Sequence, residues 1–239
     1  MRLRRTVRPL ATILFLATLI WAVPALGSSN SRAALAATNA QRRIGDALTK
    51  KGLSFGSPVY LRVFKEEAEI EVWLKNGERY DLFKTFPICA SSGALGPKEK
   101  AGDKQSPEGF YGFTRSKLNP ASRFHLSFDV GYPNAYDKSL GRTGSAIMVH
   151  GDCVSIGCFA MTDAGIEDIY SLVDAAFKKG QKSIAVHVFP FRMTGAKMKA
   201  HADSKWASFW SELKAGYDAF ETTHTPPTVA AEGGHYSVR

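Results

Sequence analysis

The chain has 239 residues, 44% of them hydrophobic, and a formal net charge of +9 at pH 7. This length and composition are typical of a globular protein with one domain of good size. The positive charge suggests an anionic partner, such as a polymer or surface of the cell envelope. It does not indicate nucleic-acid binding, because no stripe of lysine and arginine is interleaved with aromatic residues.

The first 27 residues have the features of a secretory signal peptide. Four arginines form a basic beginning: Arg2, Arg4, Arg5 and Arg8. The apolar run over 10–23 has about 14 residues, whereas a membrane span needs about 20, so an uncleaved anchor is the less favoured alternative. Ala25-Leu26-Gly27 matches the pattern of a cleavage site. We expect a Sec-type signal cut after Gly27 and a periplasmic chain whose net charge, without those four arginines, is +5.

Three cysteines are present: Cys89, Cys153 and Cys158. An odd number in an oxidising compartment leaves at least one thiol unpaired. One economical arrangement joins Cys89 to Cys153 and leaves Cys158 free. The number of cysteines alone does not select that pair.

The region after the signal begins with a helix and continues as β structure. Residues 28–57 are interpreted as a linker and a helix that Ser31 can cap and Gly52 ends. Apolar segments then predict several strands, the second and third joined by a hairpin turn at Asn76-Gly77. The predicted strands cover 59–64, 70–74, 79–88, 109–114, 124–128, 146–149 and 184–189. A long loop over 89–108 separates two of them, and loops of this length are usually functional or mobile.

Two helices are predicted in the C-terminal third of the chain. Apolar spacing indicates one over 162–179 and another over 205–222. We therefore predict an α+β fold, with a mainly β domain of mixed and antiparallel sheets over 58–190 and helices over 191–222 packed on it. Residues 223–239 contain Pro226-Pro227 and Gly233-Gly234 and are predicted to be disordered.

The segment from His150 to Cys158 carries the candidate chemistry. Cysteine catalysis needs a base within reach of the thiol and backbone amides for an oxyanion. A strand, a tight loop and a return strand could bring the imidazole to the sulfur and form a thiolate–imidazolium pair. A backbone carbonyl could fix the histidine tautomer, and a helix beginning shortly after Cys158 would lower the pKa of the thiol. The alternative is an inert buried cysteine with a structural histidine.

Metal binding and dithiol chemistry fit this segment less well. His150, Cys153 and Cys158 lack a clear fourth metal ligand. The two cysteines are also further apart than the Cys-x-x-Cys pattern of thioredoxin-type chemistry. We expect no metal and no cofactor.

The segment resembles the catalytic signature of the L,D-transpeptidase family, the YkuD-type domain. That signature is a His-Gly pair followed by Ser/Thr-x-Gly-Cys, which here are His150-Gly151 and Ser155-Ile156-Gly157-Cys158. Ile156 stands where the family usually has a histidine, and the gap between base and cysteine is short; both features resemble the YafK-like branch. The similarity extends over roughly residues 50 to 190 through separate motifs at 86–89, 95–98, 102–111 and 124–136.

The resemblance implies acyl transfer on the stem peptides of peptidoglycan, and with it a role in cell-wall biogenesis and cell shape. Cys158 would attack the carbonyl of an L-centre residue, typically diaminopimelate. His150 would take the thiol proton, and the amides of Cys158 and Gly157 would hold the oxyanion. An amine resolves the thioester in a transpeptidase, and water resolves it in a hydrolase.

Other residues are candidates for substrate contacts, each with a structural alternative. Arg142 could clamp a substrate carboxylate. Ser155 could bond the loop or a substrate amide. Gly151, His125 and Tyr132 could lie against the substrate.

Three functions follow from these observations. The first is a periplasmic L,D-transpeptidase. The second is an endopeptidase or amidase that hydrolyses cross-links or releases an envelope protein linked to peptidoglycan. The third is a non-catalytic module that binds the envelope. Stem peptides are the expected partner in the first two, and nucleic acid in none.

Overall fold

The computed structural model describes residues 28–239, and the expected signal peptide over 1–27 lies outside the described residues. The helices are α1 Ser28–Lys50, α2 Ala135–Ser139, α3 Asp163–Lys178, α4 Gly195–Ala200 and α5 Ala207–Thr223. The strands are β1 Val59–Phe64, β2 Glu69–Asn76, β3 Arg79–Pro87, β4 Gly109–Phe113, β5 Leu118–Asn119, β6 Ser127–Asp129, β7 Met148–His150, β8 Phe159–Ala160, β9 Ile184–Phe189, β10 Val229–Glu232 and β11 His235–Val238. None of the helices in this part of the chain is long and apolar enough to cross a bilayer.

Five strands form the larger sheet, in the order β3-β2-β1-β9-β4. β1 runs parallel to β9, and the other pairs are antiparallel. Every residue of β1 is buried, because both faces of this sheet are covered. A strand covered on both faces has a continuous apolar run instead of an alternating pattern, which explains the sequence of this segment.

Four short strands form the smaller sheet, in the order β5-β6-β7-β8. Phe128, Val149 and Phe159 project from one of its faces and share a core with the inner face of the larger sheet and with α1 and α3. The opposite face carries Ser127, Asp129, Met148 and His150, because successive side chains of a strand point to opposite sides. One face of the smaller sheet therefore packs in the core, and the opposite face carries the polar side chains.

α1 and α3 cover the edge of this shared core. Thr162 caps α3 by accepting a hydrogen bond from the amide of Gly165. The guanidinium of Arg43 in α1 lies 2.8 Å from carboxylate oxygens of both Glu167 and Asp168 in α3. These contacts fix α1 on the domain.

The outer face of the larger sheet is covered by α5. Tyr217 and Phe220 of α5 pack on it, and Arg62 of β1 lies over both rings, 5.2 Å and 4.8 Å from their centroids. The charge of Arg62 is balanced by Glu71 and Glu221, at 2.8 Å and 2.6 Å. A buried cation is tolerated when it is paired in this way.

The prediction of a disordered tail over 223–239 is wrong. Residues 229–238 form the antiparallel hairpin β10-β11. Tyr236 stacks on Tyr136 with ring centroids 4.1 Å apart, and its hydroxyl accepts a hydrogen bond of 2.7 Å from the Asn134 side chain. Gly233 and Gly234 form the turn between the two strands, and the Tyr236 ring is one of the contacts that order the segment.

The α+β prediction is confirmed, with shifts at particular boundaries. The strand predicted over 124–128 is displaced to Ser127–Asp129, because His125 has a φ of 65° and cannot continue a strand. In the β2-β3 turn the residue with positive φ is Gly77, at 61°.

Candidate active site

Three neighbouring strands place the candidate residues on one face of the smaller sheet. The register pairs Ser127 with His150 across β6 and β7, and His150 with Ala160 across β7 and β8. Cys158 precedes Ala160 by two residues, so it projects from the same face. The hydroxyl of Ser127, opposite His150, is buried and has no hydrogen-bond partner in the described part of the chain.

The strand geometry brings Cys158 next to β7. Strands lie about 4.8 Å apart and rise about 3.3 Å per residue, so the Cα atoms of His150 and Cys158 are about 8 Å apart. The sulfur lies 3.4 Å from the amide nitrogen of Met148, which donates to it, and 3.7 Å from the carbonyl oxygen of Ala146. The thiol is therefore held against the strand that carries the histidine.

A backbone carbonyl orients the imidazole of His150. Nδ1 lies 2.6 Å from the carbonyl oxygen of Gly151. Because a carbonyl only accepts, Nδ1 carries the proton and the neutral ring has its lone pair on Nε2. The ring of Phe124 packs on the imidazole with centroids 4.8 Å apart. The histidine is thus prepared to act as a base through Nε2.

Burial shifts the two titrating groups in opposite directions. It lowers the pKa of His150, although the hydrogen bond to Gly151 and the charge of Asp152 raise it in part. It raises the pKa of the Cys158 thiol, which the Met148 amide lowers in part. Low polarity disfavours each charged form, so at pH 7 both groups are neutral.

These shifts bear on two expectations about the pair. Because both neutral forms are favoured, a thiolate–imidazolium pair would form only as the imidazole takes the thiol proton. The lowering of the thiol pKa expected from a nearby helix is wrong, because α3 begins at Asp163, five positions after Cys158, and burial raises that pKa instead.

The turn after His150 is packed against the start of α3. The amide of Asp152 donates to Oδ1 of Asp163 at 3.0 Å. A Cβ at Gly151 would lie 2.5 Å from that same oxygen and 3.1 Å from the carbonyl oxygen of Phe124. A side chain at Gly151 would therefore displace Asp163 or the turn, so the role of Gly151 is in positioning the turn.

A disulfide joins Cys89 to Cys153, with Cα atoms 5.3 Å apart, and Cys158 is free. This is the economical arrangement that the sequence allowed. The bond ties the loop between His150 and Cys158 to the segment that follows β3. The amide of Cys89 also donates to the carbonyl of Ala160 at 2.9 Å, so two contacts fix the return path of the chain.

Ser155 and Gly157 shape the approach to Cys158. The Ser155 hydroxyl donates to the carbonyl oxygen of Cys158 at 2.7 Å and accepts from the amide of Gly157 at 3.2 Å. Gly157 has a φ of 126°, a conformation that favours glycine. The Gly157 amide is thus engaged by Ser155, and to join the Cys158 amide as an oxyanion donor it would have to exchange this bond for one to the substrate.

A cleft of about 520 Å³ opens beside Cys158. Lys98, Lys104, Ile156 and the segment 144–147 line it. Ile156 is 81% exposed and forms an apolar edge next to the thiol. The cleft is large enough for a peptide segment, and the exposed Lys104 adds a positive charge to its lining.

The wall of this cleft is organised by Asp103, which the sequence did not single out. Its carboxylate pairs with Lys98 and accepts hydrogen bonds of 3.0 Å from three amides, those of Glu99, Lys100 and Gln105. Partial burial raises its pKa, but these hydrogen bonds outweigh burial and lower the pKa to about 2. The only sequence signal was the Gly102-Asp103 turn.

Arg142 and Tyr132 have structural partners instead of the expected substrate contacts. Arg142 is buried, and its guanidinium lies 2.9 Å from Asp137. The hydroxyl of Tyr132 donates to the carbonyls of Lys98 and Thr143, at 3.3 Å and 3.1 Å. Both residues brace loops behind the cleft, so the carboxylate clamp expected of Arg142 is not supported.

His125 lies on the side of the turn that faces α1 and α3. Its Nε2 is 3.0 Å from Glu167 of α3. The guanidinium of Arg32 in α1 donates to the carbonyls of Ser122 and His125, at 2.8 Å and 2.7 Å. These contacts fix the segment 122–125 in place, and Phe124 of that segment packs on the ring of His150. Arg32 was missed because its partners are about ninety residues away and no local pattern marks them.

The described residues were also compared with the requirements of a metal site. Among residues 28–239 no three histidine, cysteine or carboxylate side chains are grouped as a metal ion would need.

Comparison with known proteins identifies the family. The model of the L,D-transpeptidase (YkuD) catalytic domain matches residues 58–195, more than half of the chain. The chain belongs to the L,D-transpeptidase family. L,D-transpeptidases act on the stem peptides of peptidoglycan, which agrees with the predicted class of partner.

The chain resembles one curated L,D-transpeptidase over most of its length. It is 50% identical over 183 residues to the Escherichia coli (strain K12) protein named "Putative L,D-transpeptidase YafK". The match covers 77% of this chain and 74% of that protein, and it confirms the resemblance to the YafK-like branch.

Solved structures show a more distant likeness. Two structures of Pgp2 from Campylobacter jejuni, described as a helical cell shape determining protein, are 18% and 21% identical, with TM-scores of 0.45 and 0.46. They cover 80% and 76% of this chain. The chain spans 80% of the first and 64%, a little under two thirds, of the second, which is a mutant.

Proposed function

We propose that this protein is a periplasmic cysteine acyltransferase that cleaves and re-forms peptide bonds in peptidoglycan stem peptides. The observation that carries the proposal is the placement of Cys158 and His150 on one sheet face, with the imidazole held in the tautomer that has a free Nε2 lone pair. A thiol beside an oriented neutral base is the arrangement that nucleophilic cysteine catalysis requires.

The first half of the reaction starts from the neutral pair. Sγ of Cys158 attacks the carbonyl carbon of the stem peptide, and the thiol proton passes to Nε2 of His150. The amide of Cys158 donates to the oxyanion. When the tetrahedral intermediate collapses, the C–N bond breaks and His150 returns the proton to the leaving amine. A thioester on Cys158 results.

The second half repeats these steps with a new nucleophile. An amine or a water molecule attacks the thioester carbon and gives a proton to Nε2. The C–S bond breaks, and the sulfur takes that proton back. The chemistry up to the thioester is the same for a transpeptidase and for an endopeptidase or amidase, so the identity of the second nucleophile distinguishes the two.

Mass spectrometry of peptidoglycan digests tests the proposal. Purified protein is incubated with sacculi, with a Cys158→Ala variant of matched circular dichroism as the control. New cross-links support transfer, and released peptides or proteins support hydrolysis. Products that are the same with the wild-type protein and with Cys158→Ala would overturn the proposal and favour a non-catalytic envelope-binding module.

A further inference from the structure

A buried serine lies directly across from the candidate base. β6 and β7 are antiparallel, and their register places Ser127 opposite His150 on the sheet face that carries Cys158. Directly opposed residues of such a pair have Cβ atoms about 5 Å apart. The hydroxyl of Ser127 and the imidazole of His150 are therefore neighbours.

The hydroxyl of Ser127 has no fixed partner. It is fully buried, and no group of residues 28–239 makes a hydrogen bond with it. In the row of side chains across this sheet face, the far neighbour of His150 is Ala160, which has only a methyl group. The far neighbour of Ser127 is Asn119, whose side-chain oxygen accepts a hydrogen bond of 3.1 Å from the amide of Ala121. Burying an unpartnered hydroxyl is unfavourable, so a serine at this position calls for a reason other than stability.

The imidazole of His150 becomes charged in a buried place. His150 is 3% exposed, and the ring of Phe124 packs on it. In the proposed reaction Nε2 takes the thiol proton of Cys158, and the ring then carries a positive charge with little access to water. Nδ1 donates to the carbonyl of Gly151, and no carboxylate of residues 28–239 accepts a hydrogen bond from the ring. A dipole beside the ring acts strongly there, because low polarity strengthens electrostatic interactions.

We propose that Ser127 is a positioning residue for the base, whose hydroxyl turns its oxygen toward the imidazolium of His150 and stabilises the charged ring. Because no partner fixes the hydroxyl, its hydrogen can rotate away as the ring takes up the proton. Ser127 neither gains nor loses a proton in either half of the reaction. The inference rests on the proposed function and adds to it a group that acts through His150.

Other charged or titratable groups surround His150. Among them, the charge of Asp152 raises the pKa of the imidazole. The others lie on β6, on the segment 122–125, at the start of α3 and next to β8: Asp129, Arg123, His125, Asp163 and Cys158. None of these groups changes when Ser127 is replaced, so a change in the titration of the imidazole in that variant belongs to the hydroxyl.

NMR titration of the His150 ring measures the stabilisation without turnover. The ring signal is identified by its loss in His150→Gln. Ser127→Ala should lower the pKa of His150 by about 0.5 to 1 pH unit, because the charged ring loses a favourable dipole and the neutral ring is affected less.

The pH dependence of turnover should move in the same direction. kcat/KM rises with pH as the base loses its proton, so its acidic limb should move to lower pH by the same amount in Ser127→Ala. On the plateau kcat should fall about three- to tenfold, which corresponds to that change in pKa. KM should stay the same, because Ser127 is buried and does not line the cleft beside Cys158.

Ser171→Ala is the matched control. Ser171 carries the other buried, unpartnered hydroxyl among residues 28–239, and it lies in α3, outside the sheet face that carries His150. Both variants should keep or raise the melting temperature, because alanine removes a buried hydroxyl that has no partner. Only Ser127→Ala should change the titration and the turnover.

Several results would overturn the inference. They are an unchanged or raised pKa of His150 in Ser127→Ala, an equal shift in Ser171→Ala, or an unchanged kcat beside a lowered pKa. A melting temperature that falls only in Ser127→Ala would also overturn it, because the hydroxyl would then have a structural role.

Titration and turnover together separate this inference from the proposed function. Turnover by the wild-type protein with an unshifted titration in Ser127→Ala removes the role of Ser127 alone. The expected shift in titration without any turnover by the wild-type protein removes the proposed function alone.

Discussion

At the scale of single residues, the site is defined by a cysteine and a histidine that burial keeps neutral. Burial raises the pKa of Cys158 and lowers that of His150, because each would have to be charged in a low-polarity environment. In the mechanism that we propose, the thiolate therefore forms during attack on the substrate instead of being stored beforehand as an ion pair.

The alkylation rate of Cys158 measures how much of the thiol is deprotonated, because only the thiolate reacts fast. With iodoacetamide the rate should stay low up to about pH 8.5, the ordinary pKa of a cysteine thiol, and rise only above it. The sign follows from the raised pKa, since the thiol form persists to higher pH. Modification is followed by intact-protein mass spectrometry. Cys158→Ala should not react, because the other two cysteines are bonded. A fast reaction that is constant from pH 6 to pH 8 would contradict the neutral pair.

Substitution of Gly151 by alanine tests how tightly the turn after His150 is packed. Gly151→Ala places a Cβ 2.5 Å from Asp163, so either the turn or the carboxylate must move. We expect a loss of about 1–3 kcal/mol in the free energy of unfolding, as overpacking typically costs. Gly195→Ala is the matched control, because a Cβ there meets no atom within 4 Å. Denaturant titration measures both, and equal stabilities would show that the turn is loosely packed.

At the scale of elements, α1 and the segment 122–125 support the histidine. Arg32 bonds two carbonyls of that segment, Phe124 packs on the imidazole, and the Phe124 carbonyl accepts from the amide of Gly151 at 3.0 Å. The family model begins at residue 58, so α1 lies outside it. An element outside the shared domain thus contacts the segment that packs on His150.

Arg32→Ala should lower kcat on stem peptides about tenfold and change KM little. The substitution removes the hydrogen bonds from Arg32 to the segment 122–125, so the ring of His150 is positioned less firmly. The cleft beside Cys158 is not altered. Arg42→Ala, an exposed arginine on the same helix, is the control for charge and helix propensity. Steady-state kinetics with both variants decides the matter. A rise in KM with kcat unchanged would place the effect of Arg32 at substrate binding.

At the scale of the whole molecule, sequence patterns predicted what depends on local periodicity. The strand over 184–189 and the helix predicted over 162–179 are present nearly as expected, because each is an apolar segment between clear end signals. The placement of Cys158 and His150 on one face depended on strand register, which the spacing of the segment only suggested. Arg142 pairs with Asp137, only five residues before it, so this local contact was open to prediction and was overlooked. The role of Arg32 depended on partners about ninety residues away, so no local pattern marked it.

The C-terminal hairpin was missed for the same reason, because Tyr236 contacts Tyr136 of α2 and Phe110 of β4 and its amide donates to Glu212 of α5. Tyr236→Ala removes the ring stacked on Tyr136 and the bond from Asn134. We expect a loss of about 2–4 kcal/mol in the free energy of unfolding, as for other large-to-small substitutions. Ser237→Ala, on the exposed face of β11, should have little effect. Thermal melts of both variants test whether the tail is part of the fold, and unchanged melting of Tyr236→Ala would contradict it.

The central claim is that Cys158 carries the acyl group, and intact-protein mass spectrometry after acid quenching during turnover tests it most directly. The wild-type protein should gain the mass of the stem peptide without its leaving group, as a thioester that hydroxylamine removes. Tryptic digestion should place the adduct on Cys158, and His150→Ala should form it far more slowly. Turnover of the same peptide by Cys158→Ala, or an adduct on any other residue, would contradict the account.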